Sequence, residues 1–357
     1  MADFRAANRL KERLSKQLLR QPGVHAVGVG YRHPRKPGKG AAVIVYTGKF
    51  SNASASIKPR KTGRKKQHTI RYQGKQITVP IRYVHAKRFR VHSSTGQGKY
   101  QRRIRPVIAG YSIGTAKGSG TAGLIVSDKK GNLYVLSNNH VLNRNNTAGY
   151  SETLQPGGAD GGMVKKDLIG RLYRFVPLSG KGENYMDAAL SLPLRRSLLS
   201  PRYAKFGALP GSVRSYKVGD RFKKIGRSSG LVYGTVESIN TDVNVSYEDF
   251  GGLDVVKFKN QTIVTGKRPV SLAGDSGSVW LTRRGSYAAA VNFAGAEDGS
   301  LSVAFPVEWA LRKFGVKVAR PRSLRSHTKR SATSMKPHYV KPLKAKQNAA
   351  IRVIRAH

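Results

Sequence analysis

The chain has 357 residues, 39% of them hydrophobic, which is enough for two or three compact units around a large core. Its 66 Lys and Arg against 18 Asp and Glu give a net charge of +48, and the lack of cysteine excludes disulfides, thiolate zinc sites and a cysteine nucleophile. No apolar run approaches the roughly 18 residues of a membrane span and no apolar secretory signal begins the chain, so we expect a cytoplasmic protein.

Residues 1–92 predict a small, basic α+β domain. Apolar side chains at three- and four-residue spacing predict an amphipathic helix over residues 2–20. Two strands follow, at 25–31 and 41–46, joined by a basic turn rich in proline and glycine. After a loop, apolar and polar residues alternate over 77–82, which indicates a further strand.

The rest of the chain divides by composition into three parts. Residues 93–107 are polar, basic and glycine-containing, which indicates a linker. Residues 108–318 show short strands separated by glycine-rich turns, a pattern typical of paired barrels or a sandwich. From 319 to 357 the chain is basic and dotted with proline, so we expect a disordered, mobile tail.

One motif in the third part is suited to nucleophilic chemistry. In Gly-Asp-Ser-Gly at 274–277, the flanking glycines allow a tight turn that presents the Ser276 hydroxyl outward. The N–H groups of Gly274 and Ser276 then point into one hollow, where an oxyanion would sit. A serine hydroxyl needs a base, and the candidates are His140, after an apolar strand, and Asp187, at the start of a short apolar segment. The chain order is His, Asp, Ser.

Taken alone, Gly-Asp-Ser-Gly is also an ordinary turn, because all three residue types are common in turns. The matching contexts of His140 and Asp187 favour a catalytic triad. Asp275 would either shape the oxyanion hollow or pair with a terminal amine or a lysine. Such a site needs no metal and no organic cofactor.

These segments resemble the conserved blocks of chymotrypsin-like serine peptidases. Ser-Asn-Asn-His140, Asp187-Ala-Ala-Leu and Gly-Asp-Ser276-Gly-Ser stand where the family has TAAHC, DIAL and GDSGG. The block 224–234 is similar to the GRTTG block of bacterial members. Residues 154–162 resemble a bacterial trypsin-like group that also carries a small N-terminal domain with a Val-Gly-Val-Gly-Tyr motif. The resemblance implies a mainly β fold, a double β-barrel with the active site between the barrels and a closing helix at 307–314, and peptide hydrolysis through an acyl-enzyme.

The resemblance also implies where a substrate would bind. Val270, six residues before the serine, would lie at the base of the specificity pocket. Asn292, Phe293 and Ala294 would form the edge that pairs with substrate. An apolar base argues against a preference for Lys or Arg, although Glu297 and Asp298 follow closely and could reverse it.

The positive charge lies mostly on the two flanks of the presumed catalytic body. Residues 1–105 hold 27 basic and 2 acidic residues, and residues 320–357 hold 11 basic residues and no acidic one. Such one-sided charge repels itself unless anions neutralise it, so we expect a polyanion partner: a nucleic acid, a cell-wall polymer, a phospholipid surface or an acidic protein. The candidate binding residues are Arg64, Lys65, Lys66, Arg88, Arg90, Arg102, Arg103 and Arg105.

The sequence therefore favours a serine endopeptidase held on a polyanion by its basic flanks. Two alternatives stay open. In one, the barrels are a catalytically silent scaffold for a protein that binds nucleic acid or another polyanion. In the other, the enzyme processes itself in the linker near Arg102 to Arg105, and residues 1–92 act as a pro-region.

Overall fold

The computed structural model describes residues 1–48, 66–91, 98–248, 250–321 and 336–357. The helices in these ranges are α1 Phe4–Leu18, α2 Asn139–Leu142, α3 Val164–Asp167, α4 Val307–Phe314 and α5 Ala345–Ala350. None of the helices in the described ranges has both the length and the apolar character needed to cross a bilayer.

The strands fall into three groups along the chain. The first group is β1 Val24–Tyr31, β2 Ala41–Thr47, β3 Gln67–Tyr72, β4 Lys75–His85 and β5 Phe89–Arg90. The second group is β6 Val107–Ala109, β7 Ser112–Thr115, β8 Gly118–Thr121, β9 Leu124–Ser127, β10 Leu133–Ser137, β11 Glu152–Leu154, β12 Leu168–Phe175, β13 Ala189–Pro193 and β14 Leu199–Tyr203. The third group is β15 Arg221–Gly226, β16 Gly230–Ser246, β17 Val255–Thr265, β18 Val279–Thr282, β19 Ala288–Ala296, β20 Leu301–Pro306, β21 Lys317–Val318 and β22 Ile354–Arg355.

Strands β15 to β20 close into a barrel. Their order is β15-β18-β19-β20-β17-β16, and β16 pairs back to β15. Every residue of β19 and β20 is buried, and the interior is packed with aromatic and branched side chains such as Phe258, Phe293 and Phe305. Strands buried on both faces are expected to be mainly apolar runs, and β19 is one, with Asn292 as its one polar residue.

A second curved sheet forms the other barrel unit. Its order is β21-β9-β10-β13-β12-β11-β7-β8, and β22 pairs with β12. Its core cluster includes Ile113, Leu142 and Phe175. The expected fold class, a mainly β chymotrypsin-like double barrel preceded by a small α+β unit, is confirmed.

The N-terminal elements extend the sheet of the closed barrel. Strand β1 pairs with β16 through Ala26 and Val243, and β2, β4 and β3 continue the sheet outward. The glycines of the Val-Gly-Val-Gly-Tyr motif allow this close approach, because a side chain at Gly28 would overlap the hydroxyl of Thr241. The boundaries expected at residues 92 and 107 stay predictions.

Helix α1 is fixed to the same barrel by a buried charge cluster. Asp3 caps the helix by accepting the N–H of Ala6 at 2.7 Å. On the inner face, Lys11 is fully buried and its Nζ lies 2.6 Å from the carboxylate of Asp242 on β16. The hydroxyl of Ser15 and the Nζ of Lys259 donate to the same carboxylate at 2.6 and 2.7 Å.

The described end of the tail differs from the mobile segment expected from its composition, while residues 322–335 of that expected segment lie outside the described residues. Residues 336–357 carry helix α5 and strand β22, and β22 pairs with β12. Val340 is buried, and its N–H donates to the carbonyl of Tyr216 at 2.8 Å. Val340 and Ile351 are single buried apolar residues that hold this segment against the rest of the protein. Because they do not recur at a regular spacing, the sequence shows no periodic pattern that would predict an ordered segment.

The described part of the expected linker also packs on the barrels. Tyr100 is buried and meets Tyr111 edge-on, with ring centroids 5.2 Å apart. The Arg105 guanidinium donates to the carbonyl of Ile104 at 2.7 Å and to that of Gln155 at 3.0 Å. Polar composition suggested an exposed segment, but these side chains find partners on the first barrel unit.

Candidate active site

His140 and Asp187 meet as the sequence predicts. Strand β10 ends at Ser137, and the short helix α2 then turns His140 toward the start of β13. The Nδ1 of His140 lies 2.5 Å from Oδ2 of Asp187, a carboxylate that is fully buried. The backbone N–H of Asn139 donates to Oδ1 of Asp187 at 2.6 Å. The imidazole is therefore fixed through one nitrogen, with Nδ1–H facing the carboxylate.

Tyr247, which the sequence analysis missed, joins this pair from the other barrel. It follows β16, and its hydroxyl donates to Oδ2 of Asp187 at 2.7 Å. Its ring packs edge-on against the imidazole of His140, with centroids 5.7 Å apart. Burial and the neighbouring Asp187 charge raise the pKa of Tyr247 well above its ordinary value, so the hydroxyl stays protonated and remains a donor. No local motif distinguishes Tyr247 from the other tyrosines.

Ser276 lies at the junction of the two barrel units. Its carbonyl accepts the N–H of Thr121 on β8 at 2.7 Å. A Cβ added to Gly120 would lie 2.5 Å from the side chain of Val141 and 2.9 Å from the Ser276 carbonyl. Gly120 therefore lies between Ser276 and Val141, the residue that follows His140. The Ser276 hydroxyl donates to the Phe293 carbonyl at 3.3 Å. Nε2 of His140 is buried and has no hydrogen-bond partner among the described residues.

The backbone turns at Gly274, two residues before Ser276. Gly274 has a φ of +87°, a conformation that favours glycine. Within the described residues, the N–H groups of Gly274 and Ser276 donate to no protein acceptor. Two neighbouring amide donors therefore remain available to a ligand oxygen.

Asp275 stabilises this turn through a buried ion pair and several hydrogen bonds. Its carboxylate lies 2.9 Å from Nζ of Lys224, and both side chains are fully buried. It also accepts the N–H groups of Ser228 at 3.1 Å, Ser229 at 3.0 Å and Leu272 at 3.1 Å. Burial alone would raise the pKa of Asp275, but Lys224 and these donors outweigh it and hold the pKa below its ordinary value. Of the two partners considered for Asp275, the structure has the lysine.

A second buried ion pair crosses between the barrel units under the same turn. Arg227, just before β16, donates through Nε to Oδ2 of Asp160 at 2.6 Å and through Nη2 to Oδ1. Asp160 belongs to the loop after β11 in the other unit. A side chain at Gly274 would collide with the Arg227 guanidinium, so the turn rests directly on this pair.

The pocket residues expected from the resemblance are all buried. Val270 is buried, and its N–H donates to the Gly299 carbonyl at 2.7 Å. The Asn292 side chain accepts from Ser271 at 3.1 Å and from Ser302 at 2.5 Å. Phe293 turns its ring into the core and its carbonyl toward Ser276.

Ala294 on β19 is buried, and its carbonyl accepts the Ser271 hydroxyl at 3.4 Å. Glu297 pairs with Arg90. Val270 as the base of the pocket stays a prediction.

A cleft of 290 Å³ opens beside His140. Its walls include Tyr247 and Phe250 on one side and the 115–119 hairpin on the other. Val91, from the N-terminal unit, is also part of the wall.

The candidate polyanion-binding residues lie in separate places. Arg64 and Lys65 fall outside the described residues, and Lys66, Arg88 and Arg102 are exposed. Arg90 lies beside the closed barrel and pairs with Glu248 and Glu297. Arg103 and Arg105 line a cavity of 650 Å³ on the other barrel unit, together with Lys166 and Arg195.

Among the residues that the structure describes, no cluster of three or more His, Cys, Asp or Glu side chains could hold a metal ion.

Comparison with known proteins gives a likeness in structure alone. No protein-family model matches the chain, and no curated protein sequence does. A solved glutamic-acid-specific serine protease is 22% identical with a TM-score of 0.44, over 60% of this chain and 100% of its own. Nocardiopsis protease is 17% identical with a TM-score of 0.42, over 59% and 98% of the two chains. Thermobifida fusca protease A is 19% identical with a TM-score of 0.42, over 60% and 99%.

Proposed function

We propose that the protein is a serine endopeptidase of the chymotrypsin-like kind, with Ser276 as nucleophile, His140 as general base and Asp187 as the residue that orients the base. The observation that carries the proposal is the state of His140. Its Nδ1 is held by a buried carboxylate, while its buried Nε2 has no partner among the described residues. An imidazole fixed at one nitrogen and open at the other is prepared to accept a proton.

In this mechanism Ser276 turns its hydroxyl from the Phe293 carbonyl toward Nε2 of His140. Nε2 takes the hydroxyl proton as Oγ attacks the substrate carbonyl carbon, and Asp187 stabilises the resulting imidazolium. His140 then gives the proton to the leaving amine, and an acyl-enzyme forms on Ser276. A water molecule then gives a proton to Nε2 of His140 and attacks the acyl carbon. His140 returns that proton to Oγ of Ser276 as the ester bond breaks, and the carboxylic acid product is released.

The oxyanion of each tetrahedral intermediate would bind the N–H groups of Gly274 and Ser276. Removal of one such donor costs about 3–4 kcal/mol in studied cases. The buried supports at Asp275 and Arg227 favour this assignment, because a rigid turn keeps both donors aimed before the substrate arrives.

The test is labelling with a fluorophosphonate probe together with hydrolysis of an unfolded protein. Ser276→Ala should abolish both. Ser278→Ala is the matched control, since Ser278 is buried in the same loop and donates to the Asp275 carbonyl at 2.5 Å. It should retain labelling. Equal labelling of wild type and Ser276→Ala would overturn the assignment.

A second part of the proposal is that the basic surface holds the enzyme on a polyanion. It is supported by the cavity lined by Arg103, Arg105, Lys166 and Arg195, which gathers four cations around one opening. The acid facing this group is Asp167, which lies 2.9 Å from Nε of Arg103. The remaining positive charge suits phosphate or sulfate groups of any polymer.

A further inference from the structure

A segment of the N-terminal unit occupies the edge of β19 next to the candidate active site. Strand β5 runs antiparallel to β19, with Arg90 opposite Gly295 and Phe89 opposite Ala296. The N–H of Glu297 donates to the Arg88 carbonyl at 3.1 Å. On its other side β5 pairs with β16, and the N–H of Val91 donates to the Ser246 carbonyl at 3.1 Å.

The direction of this segment leads toward the catalytic residues. Gly295 stands two positions after Phe293, whose carbonyl accepts the Ser276 hydroxyl. Because β5 is antiparallel to β19, the step from Phe89 to Arg90 runs toward Phe293. Val91, the next residue, lines the same cleft as His140.

The side chains of the segment fill specific places. Phe89 is fully buried, with its ring centroid 6.4 Å from that of Tyr46. The Arg90 guanidinium bonds Glu297 through Nη2 and lies 3.2 Å from Glu248 through Nη1. Val91 is buried in the cleft wall. The segment is thus held by backbone pairing, one aromatic anchor and one doubly paired cation.

We propose that Arg88–Val91 is a built-in occupant of the substrate edge that inhibits the enzyme, and that Glu248 and Glu297 form a subsite for a basic residue of the substrate that replaces it. This inference rests on the proposed peptidase function. Extended peptides commonly bind by adding a strand to a sheet edge, with side chains selecting the sequence. A tethered strand competes at an effective concentration of about millimolar, so it blocks a substrate of ordinary affinity.

The first test measures binding and needs no catalysis. A fluorescent peptide of residues 87–91, Lys-Arg-Phe-Arg-Val, is titrated into the full chain carrying Ser276→Ala, with and without Arg90→Glu. The added glutamate would face Glu248 and Glu297 and release the segment, so we expect the double variant to bind the peptide at least about tenfold more tightly. The matched control is Arg82→Glu, which breaks a different ion pair between the N-terminal unit and the barrel, that of Arg82 on β4 with Glu237 on β16, and should leave peptide affinity unchanged.

Glu297→Lys in the Ser276→Ala chain keeps the test informative if Arg90→Glu fails to fold. It repels Arg90 from the barrel side and should also release the segment. The opened edge should then prefer a peptide with Glu in place of the second Arg. Equal affinity for the two peptides would overturn the assigned subsite.

The second test measures activity. Hydrolysis of an unfolded protein should rise about tenfold in Arg90→Glu with Ser276 intact, whereas labelling by a small fluorophosphonate, which does not need the β19 edge, should change far less. If the probe labels neither protein, the proposed peptidase function is wrong. The binding test then still shows whether Arg88–Val91 occupies the edge of β19. Equal peptide affinity and equal hydrolysis with and without Arg90→Glu would overturn the inference.

Discussion

The Asp187 carboxylate is held from both barrel units at once. Oδ1 accepts from the backbone of Asn139, while Oδ2 faces Nδ1 of His140 and the hydroxyl of Tyr247. A buried carboxylate loses its hydration and needs such donors to stay charged. Because Tyr247 comes from the closed barrel, it also fixes the position of Asp187 relative to the unit that carries Ser276.

Tyr247→Phe tests this role. We expect kcat to fall about tenfold with KM unchanged, because a hydrogen bond to a charged group is worth about 1.5–3 kcal/mol and the ring would still pack on His140. Tyr216→Phe is the matched control: Tyr216 is equally buried and its hydroxyl bonds Thr262 at 2.8 Å. It should lose about 0.5–1.5 kcal/mol of stability, because its partner is neutral, and should keep kcat. Equal kcat values for the two variants would contradict the positioning role of Tyr247.

At this scale the sequence predicts residues that stand in a local pattern and misses those that do not. His140 ends an apolar strand, Asp187 begins one, and the structure joins them. Tyr247 reaches its place through a tertiary contact between segments far apart in the chain, so no periodicity or spacing marks it. Arg227 and Asp160 lie in the blocks 224–234 and 154–162 that the sequence singles out, but nothing in either block predicts that the two side chains pair.

Helix α1 is the element whose docking depends most on charge. Lys11, Ser15 and Lys259 all approach the Asp242 carboxylate, which is buried between helix and barrel. Burial opposes the charge on Asp242, but Lys11 and Lys259 outweigh it and lower its pKa below the ordinary value. A carboxyl with a lowered pKa in the folded state adds stability above its unfolded pKa of about 4, and this stability is lost as the pH falls through the lowered pKa.

Asp242→Asn should therefore lower the free energy of unfolding by about 3 kcal/mol at pH 7, because it leaves the buried Lys11 with only the half-exposed Glu12 as its counter-charge. The difference from wild type should shrink in acid, where wild-type Asp242 is itself protonated. Urea denaturation at both pH values measures this. Asp220→Asn, which breaks the surface pair of Asp220 with Lys217, should cost less than about 1 kcal/mol. A difference independent of pH would contradict the assignment.

The order of elements is largely readable from the sequence, and their pairing is not. Helix α1 and strands β1 and β2 lie where the sequence pattern predicts them, and helix α4 lies where the family resemblance implies it. The pairing of β22 with β12 depends on two residues, Ile354 and Arg355, which form too short a run to signal a strand.

For the whole molecule, the charge predicts how binding responds to salt. If the four cations of the 650 Å³ cavity each contact a phosphate, the log-log slope of affinity for a single-stranded deoxythymidine oligomer against salt should be about −3. Arg195→Ala with Lys166→Ala should make the slope shallower by about 1.4, because each phosphate contact to a single strand contributes about 0.7. Lys129→Ala with Lys130→Ala removes two exposed charges elsewhere and should leave it unchanged. A slope near zero for wild type would contradict polyanion binding.

The joining of β1 to β16 also bears on how the chain is made. Ala26 leaves the ribosome long before its partner Val243, so the N-terminal strands must wait with a bare hydrogen-bonding edge while the intervening residues are synthesised. Contacts between such distant segments form slowly. We therefore expect nascent chains that stop short of β16 to be clients of chaperones and to aggregate when released without them.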